Sequence, residues 1–331
     1  MSACRSKDRS SPTITVTEAV TVQSALTAPL SAAEPATVRE RIAGLAREAS
    51  YEVAARDARG IDAAIARLSP GTLVSVTWLP LDDDEARVLA SRRLREAGFE
   101  PVPHIAARMV TSDDHLQRLL RRLCDEAGVR QLLVISGDVK QASGPFEDSA
   151  ALIASAAFAQ PALSRIWLGG YPEGHPKVDH ATLNATLDAK IAAVRALGMT
   201  PGVITQFCFD ADPILRWLLD FRARHDVPVR IGLAGPAGIR TLLRFAAICG
   251  VGASARSLVT RSASIARLLV DTTPDPIIRD LAETAAYHDL QPMGFHLFPF
   301  GGLDRTARWM GSVAAGGFEL RASASGFQVT E

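Results

Sequence analysis

The sequence predicts an α/β fold, a single-domain (β/α)8 TIM barrel, from three observations. From about residue 35 onward, short apolar runs alternate with longer segments of helical period, the pattern of βα units around a parallel sheet. The runs lack polar alternation, which calls for strands covered on both faces. There are eight of them, and closing eight parallel strands removes both edges of the sheet. A doubly wound open sheet is the alternative topology.

Residues 1–34 are rich in Ser, Thr, Ala and Pro without a clear apolar period, so a flexible N-terminal tail is expected there, with a short strand around Ile14-Thr15-Val16. The barrel itself is expected over 35–310. Strands are expected at 50–54, 73–79, 100–105, 131–136, 165–169, 202–207, 229–234 and 294–298. The segments between them carry charge on one side, as in "DDDEARVLASRRLREAG" (82–98) and "DDHLQRLLRRLCDEAG" (113–128). Asp or Ser at their starts and Gly past their ends supply caps. Their arginines read as solvated outer faces. Residues 311–331 are small and polar and are expected to form a loose C-terminal extension.

Composition narrows the function. With 331 residues, 47% of them hydrophobic, the chain can bury a large core. Lys plus Arg and Asp plus Glu both number 36, which argues against a nucleic-acid partner. No apolar run approaches the roughly 20 residues of a membrane span, and no apolar signal segment follows Arg5, Lys7 and Arg9. Cys4, Cys124, Cys208 and Cys249 lie far apart without a C-x-x-C pair, so neither zinc nor a disulfide framework is expected, and a reducing cytoplasm fits.

In a barrel the active site lies at the C-terminal ends of the strands. In chain order those ends carry Glu52 in "SYEVA", Thr77 in "VSVTWLP", His104 in "PVPHIAAR", and Asp138 in "VISGDVK". They continue with Tyr171, Glu173 and His175 in "GGYPEGHP" and Gln206 in "VITQFCFD", where Asp210 is placed to cap the next helix. The last two strands end in "GLAGPAG" and "FHLFPFGG". Each residue also has a plain structural reading. Glu52 could be a salt-bridge partner, His104 a satisfied core histidine, Gln206 a ligand of neighbouring backbone, and "YPEGHP" a rigid turn. Six strands in succession ending on a functional side chain at one rim favour a site.

A metal centre is not expected, because Asp138, His175 and His104 lack paired ligand spacing. No G-x-S-x-G is present, and no Rossmann glycine fingerprint follows the first strand. The glycines of "GLAGPAGIRTLL" could admit an anion at a helix start or could only turn the chain. A Schiff-base aldolase would need a strand lysine, and none of the eight strands has one.

Taken together, "SYEVA", "VSVTW", "PH", "VISGD", "YPEGHP" and "ITQFCFD", in this order, resemble the methylenetetrahydrofolate reductase family from about residue 49 to about 300. The resemblance implies a barrel enzyme of one-carbon metabolism and methionine biosynthesis. Such an enzyme passes electrons from NADH or NADPH through FAD to 5,10-methylenetetrahydrofolate, or runs the reverse oxidation. It implies Glu52 as the general acid that opens the methylene bridge. Asp138 would stabilise the iminium cation and Gln206 would read the pterin, with Phe209 and Ile239 beside it at substrate-binding positions. Thr77, His104, Ser136, Gly137, Tyr171, His175 and Lys190 fall at cofactor-binding positions.

Departures are visible as well. Ser136 stands where the family has arginine, Val53-Ala54-Ala55-Arg56 where it has "FFPP", Lys190 alone where it has a basic pair, and Ile239 where it has an aromatic. Losing an arginine–phosphate contact weakens the hold on FAD. Flavin-free hydride transfer, and a folate- or flavin-binding barrel without turnover, are the alternatives the sequence leaves open.

Overall fold

The computed structural model describes residues 35–251, 271–322 and 325–330. The tail expected over 1–34, with its short strand at Ile14-Thr15-Val16, lies outside the described residues.

Eight parallel strands close a barrel: β1 (Ser50–Ala54), β2 (Leu73–Thr77), β3 (Glu100–Ala106), β4 (Gln131–Ile135), β5 (Arg165–Gly170), β6 (Thr200–Thr205), β7 (Val229–Ala234) and β8 (Met293–Phe298). Neighbours follow chain order, and β1 closes on β8 with Ser50 opposite His296. Helices α1 (Pro35–Arg47), α2 (Ala58–Arg67), α3 (Asp84–Glu96), α4 (Asp113–Ala127), α5 (Ser149–Ile153), α6 (His180–Ala196), α7 (Ala211–Arg222), α8 (Ile239–Cys249), α9 (Asp275–Thr284) and α10 (Leu303–Ala314) accompany them. The open-sheet alternative is therefore set aside.

The helices begin and end where their caps dictate. Asp83, Ser112 and Asp210 each accept a backbone N–H at the start of α3, α4 and α7. Gly128 ends α4 in the left-handed region (φ 61°), which lets Val129 N–H reach back to Leu123 C=O. Two strands differ from expectation by two residues, and four others by one. β2 stops at Thr77 because Asp82 turns the chain by accepting Leu79 N–H, and β6 is displaced two residues toward the N-terminus.

Inside the barrel, Val102, Leu133, Trp167 and Ile204 from β3 to β6 pack together. Trp167 is wholly buried, and its indole N–H donates to Gln131 at 2.9 Å. Gly202 makes room for the ring, since a Cβ there would lie 2.5 Å from it. These side chains fill the barrel interior between β3 and β6, with Leu133 paired opposite His104.

The C-terminal segment is not the loose extension expected. α10 runs through Ala314, and β9 (Phe318–Leu320) pairs with β10 (Phe327–Val329) as a hairpin. Phe318 and Phe327 are buried against each other, Trp309 stacks on Phe327, and Asp275 accepts Phe327 N–H at 3.0 Å. Two aromatics in an otherwise small, polar stretch supply the hydrophobic anchor.

Candidate active site

Glu52, in the middle of β1, projects toward two histidines. His104 Nε2 on β3 lies 3.4 Å from Glu52 Oε2, and His296 Nε2 on β8 lies 3.9 Å from the same oxygen. The His296 ring is oriented by Ser50, whose hydroxyl donates to Phe295 C=O (3.1 Å) and meets His296 Nδ1 at 2.9 Å. Ser50 thus fixes the plane of the His296 ring through Nδ1 and leaves Nε2 facing Glu52. Burial pushes His104 down to about 4; the Glu52 carboxylate opposes this, while His296 and Arg87 add to it. At neutral pH His104 is uncharged.

Thr77 follows the Val76–Pro103 pair and so stands beside His104. Thr77 Oγ1, His104 Nε2 and His296 Nε2 are all buried and make no hydrogen bond among the described residues. Buried polar atoms without partners are costly, so this cluster has the character of a binding site for a polar group.

Asp138 stands exposed on the β4–α5 loop. Arg108 holds that loop: its backbone N–H donates to Ser136 C=O, its Nε to Glu147 C=O (2.8 Å) and its Nη1 to Val139 C=O (3.3 Å). Gly137 turns the chain at φ 91°, a conformation side chains rarely adopt. Tyr171 is raised by burial and then by Asp138. Cys249, at the end of α8, is pushed up to about 11 by burial, then by Asp138 and Glu52. The two carboxylates thus both act on one thiol.

Gln206 donates from Nε2 to Cys249 C=O at 2.7 Å, and its backbone N–H bonds Gly170 C=O. The plain reading of Gln206, a bond to neighbouring backbone, is what the structure contains; Oε1 and the second amide hydrogen are not used by that bond. Tyr171 and His175 meet edge to face at 5.8 Å. Phe209 and Ile239 are both buried, in an apolar cluster with Phe207, Leu242 and Val251. The structure therefore brings Glu52, Thr77, His104, Asp138, Tyr171 and Gln206 to one end of the barrel, while Phe209 and Ile239 pack within its apolar cover.

Two positions expected to hold FAD phosphates are used otherwise. Ser136 Oγ accepts Ser149 N–H at 3.2 Å. Lys190 is buried, its Nζ lies 3.4 Å from Ser149 Oγ, and burial lowers its pKa against the pull of Asp148. Ser136 carries no charge and the Lys190 amine is buried against Ser149, so these residues do not fit the phosphates of that cofactor.

Sequence reasoning missed Ser50, His296, Arg108 and Cys249. His296 alternates with Phe298 along β8, a period-2 signal hidden by the aromatic character of "FHLFPFGG". Among the described residues no group of three His, Cys, Asp or Glu is placed to hold a metal, and no helix is long and apolar enough to cross a membrane. Cys124, Cys208 and Cys249 are free thiols.

Comparison with known proteins bears on the family and the fold. A Clostridium thermocellum protein described as binding two copies of 5-methyl-5,6,7,8-tetrahydrofolic acid superposes with a TM-score of 0.58 at 14% identity, over 84% of this chain and 99% of that one. At that identity the likeness shows the fold alone. The carboxyl transferase domain of Rhizobium etli pyruvate carboxylase aligns at 11% identity over 74% of this chain and 47% of that one, with a TM-score of 0.40, too low to carry an argument. The family model for methylenetetrahydrofolate reductase matches residues 56–264, a span that begins just after Glu52. Covering more than half of the chain, that match identifies this barrel as a member of the methylenetetrahydrofolate reductase family.

Proposed function

We propose that the protein interconverts 5,10-methylenetetrahydrofolate and 5-methyltetrahydrofolate, with NADH or NADPH as the electron donor in the reducing direction. The observation that carries this reading is Glu52, held 3.4 Å from uncharged His104 and 3.9 Å from His296, with Asp138 acting on the same Cys249 thiol as Glu52. In the reducing direction Glu52 delivers a proton to the nitrogen that leaves when the methylene bridge opens. Asp138 stabilises the resulting iminium cation, and hydride added to the methylene carbon gives the methyl group. Two carboxylates in unlike settings, one among buried imidazoles and one exposed, suit these two duties. Gln206 exchanges its bond to Cys249 C=O for the pterin edge, which presents both donors and acceptors.

For the electron path, Ser136 and Lys190 favour hydride passing directly from the nicotinamide, since neither faces a cofactor phosphate. Transfer through FAD is the second reading, supported by Thr77, His104, Tyr171 and His175 at the mouth, where the ring of a flavin would lie. The test is the visible spectrum of the purified protein, followed by anaerobic turnover of methylenetetrahydrofolate and NADH or NADPH with and without added FAD. A colourless protein that turns over without FAD supports the direct path. A flavin spectrum bleached by NADH supports the second reading, and no turnover under any condition refutes the reductase.

A further inference from the structure

Arg87 lies on α3, a helix whose arginines the sequence assigns to a solvated outer face, yet it is wholly buried. Its guanidinium stacks on the Trp78 ring 3.8 Å from the centroid, and its Nη2 donates to the main-chain carbonyl of His104. Asp84 Oδ1 is 3.9 Å away, its other oxygen being held by His115 Nε2 at 3.0 Å, and Asp82 contributes at longer range. Arg87 Nε and Nη1 make no hydrogen bond among the described residues. Burying a guanidinium with two nitrogens unpaired is expensive, and an apolar side chain of similar length would fill the space at less cost. Its one hydrogen bond goes to the residue that faces Glu52.

We propose that Arg87 is a positioning residue for the acid–base site: by clamping the backbone at His104 from behind the barrel wall, it sets the imidazole against Glu52. Its role in turnover rests on the reading of Glu52 as the general acid. The groups acting on His104 are Glu52 from β1, His296 from β8 and Arg87 from α3. Of the two that lie against His104 from outside the β1 carboxylate, Arg87 is the permanent cation, so it disfavours a second positive charge on the ring.

Two variants separate the clamp from the charge. Arg87→Met removes both; Arg87→Lys keeps the charge but loses the planar fork and the stack. His104 is followed by NMR of histidine-labelled full-length protein, assigned with His104→Gln, and kcat is measured across pH. Arg87→Met is expected to raise the His104 titration midpoint and to shift the acid limb of kcat with it. Arg87→Lys is expected to leave the midpoint near that of the wild type while kcat falls on the order of 10- to 100-fold from misplacement. Folded variants with wild-type titration and wild-type kcat would overturn the proposal. Should Arg87→Met fail to fold, an unchanged kcat in Arg87→Lys overturns it alone. If the wild type shows no folate turnover but the His104 midpoint still moves, the proposed reaction fails and the positioning role stands.

Discussion

Acid should weaken this fold through His104. Burial depresses the imidazole from an ordinary value of 6.5 to about 4. The unfolded chain therefore binds a proton that the folded one refuses between those values, so stability is full above about 6.5 and is lost as pH falls toward 4. A shift of that size is worth on the order of 3 kcal/mol when complete. Between pH 7 and pH 5 the share lost is about 2 kcal/mol, because at pH 5 the unfolded imidazole is almost fully protonated and the folded one is not. Urea denaturation at the two pH values measures this loss, and the same experiment on His104→Gln subtracts the contribution of every other group. The wild type should lose about 2 kcal/mol more than the variant over that interval. Equal losses in the two proteins would refute the argument that His104 is held neutral by burial.

Ser50→Ala removes the hydroxyl that bonds His296 Nδ1 and Phe295 C=O; the carbonyl keeps Arg230 Nη1 at 3.4 Å, but the buried ring nitrogen loses its partner. A loss of about 1–3 kcal/mol in urea midpoint stability is expected, with a change in the His296 tautomer visible by NMR. Gly202→Ala forces a methyl group against Trp167 and should cost about 1–3 kcal/mol, read as a lower Tm. Gln206→Met, which keeps the length but not the amide, should weaken folate binding by roughly tenfold or more in calorimetry while leaving the fold intact.

The barrel was legible because its strands are continuous Val, Ile and Leu runs bounded by capping residues. β1 and β7 begin and end where the sequence places them, since Asp57 and Gly235 leave little choice nearby. The C-terminal hairpin was not legible, because Phe318 and Phe327 act only once Asp275 and Trp309 are brought to them across the fold. The site divides in the same way. Glu52 and His104 are revealed by the rule that barrels work at one rim, although both sit within their strands and not at the ends. Partners defined by cross-strand register are not: Ser50 and His296 meet only through closure of β1 on β8, 246 residues apart in the chain. Gln206 shows the limit of reasoning from residue type, because its amide suits a pterin and a backbone carbonyl equally, and in the structure it bonds Cys249.

The most direct test is turnover by Glu52→Gln, alongside its binding of 5-methyltetrahydrofolate. The wild type should convert methylenetetrahydrofolate with a reduced nicotinamide. The variant should bind folate within a few-fold of the wild type yet lose kcat by about 100-fold or more, the usual contribution of a positioned general acid. A variant that turns over at the wild-type rate, or one that loses binding and turnover together, would contradict Glu52 as the acid of this site.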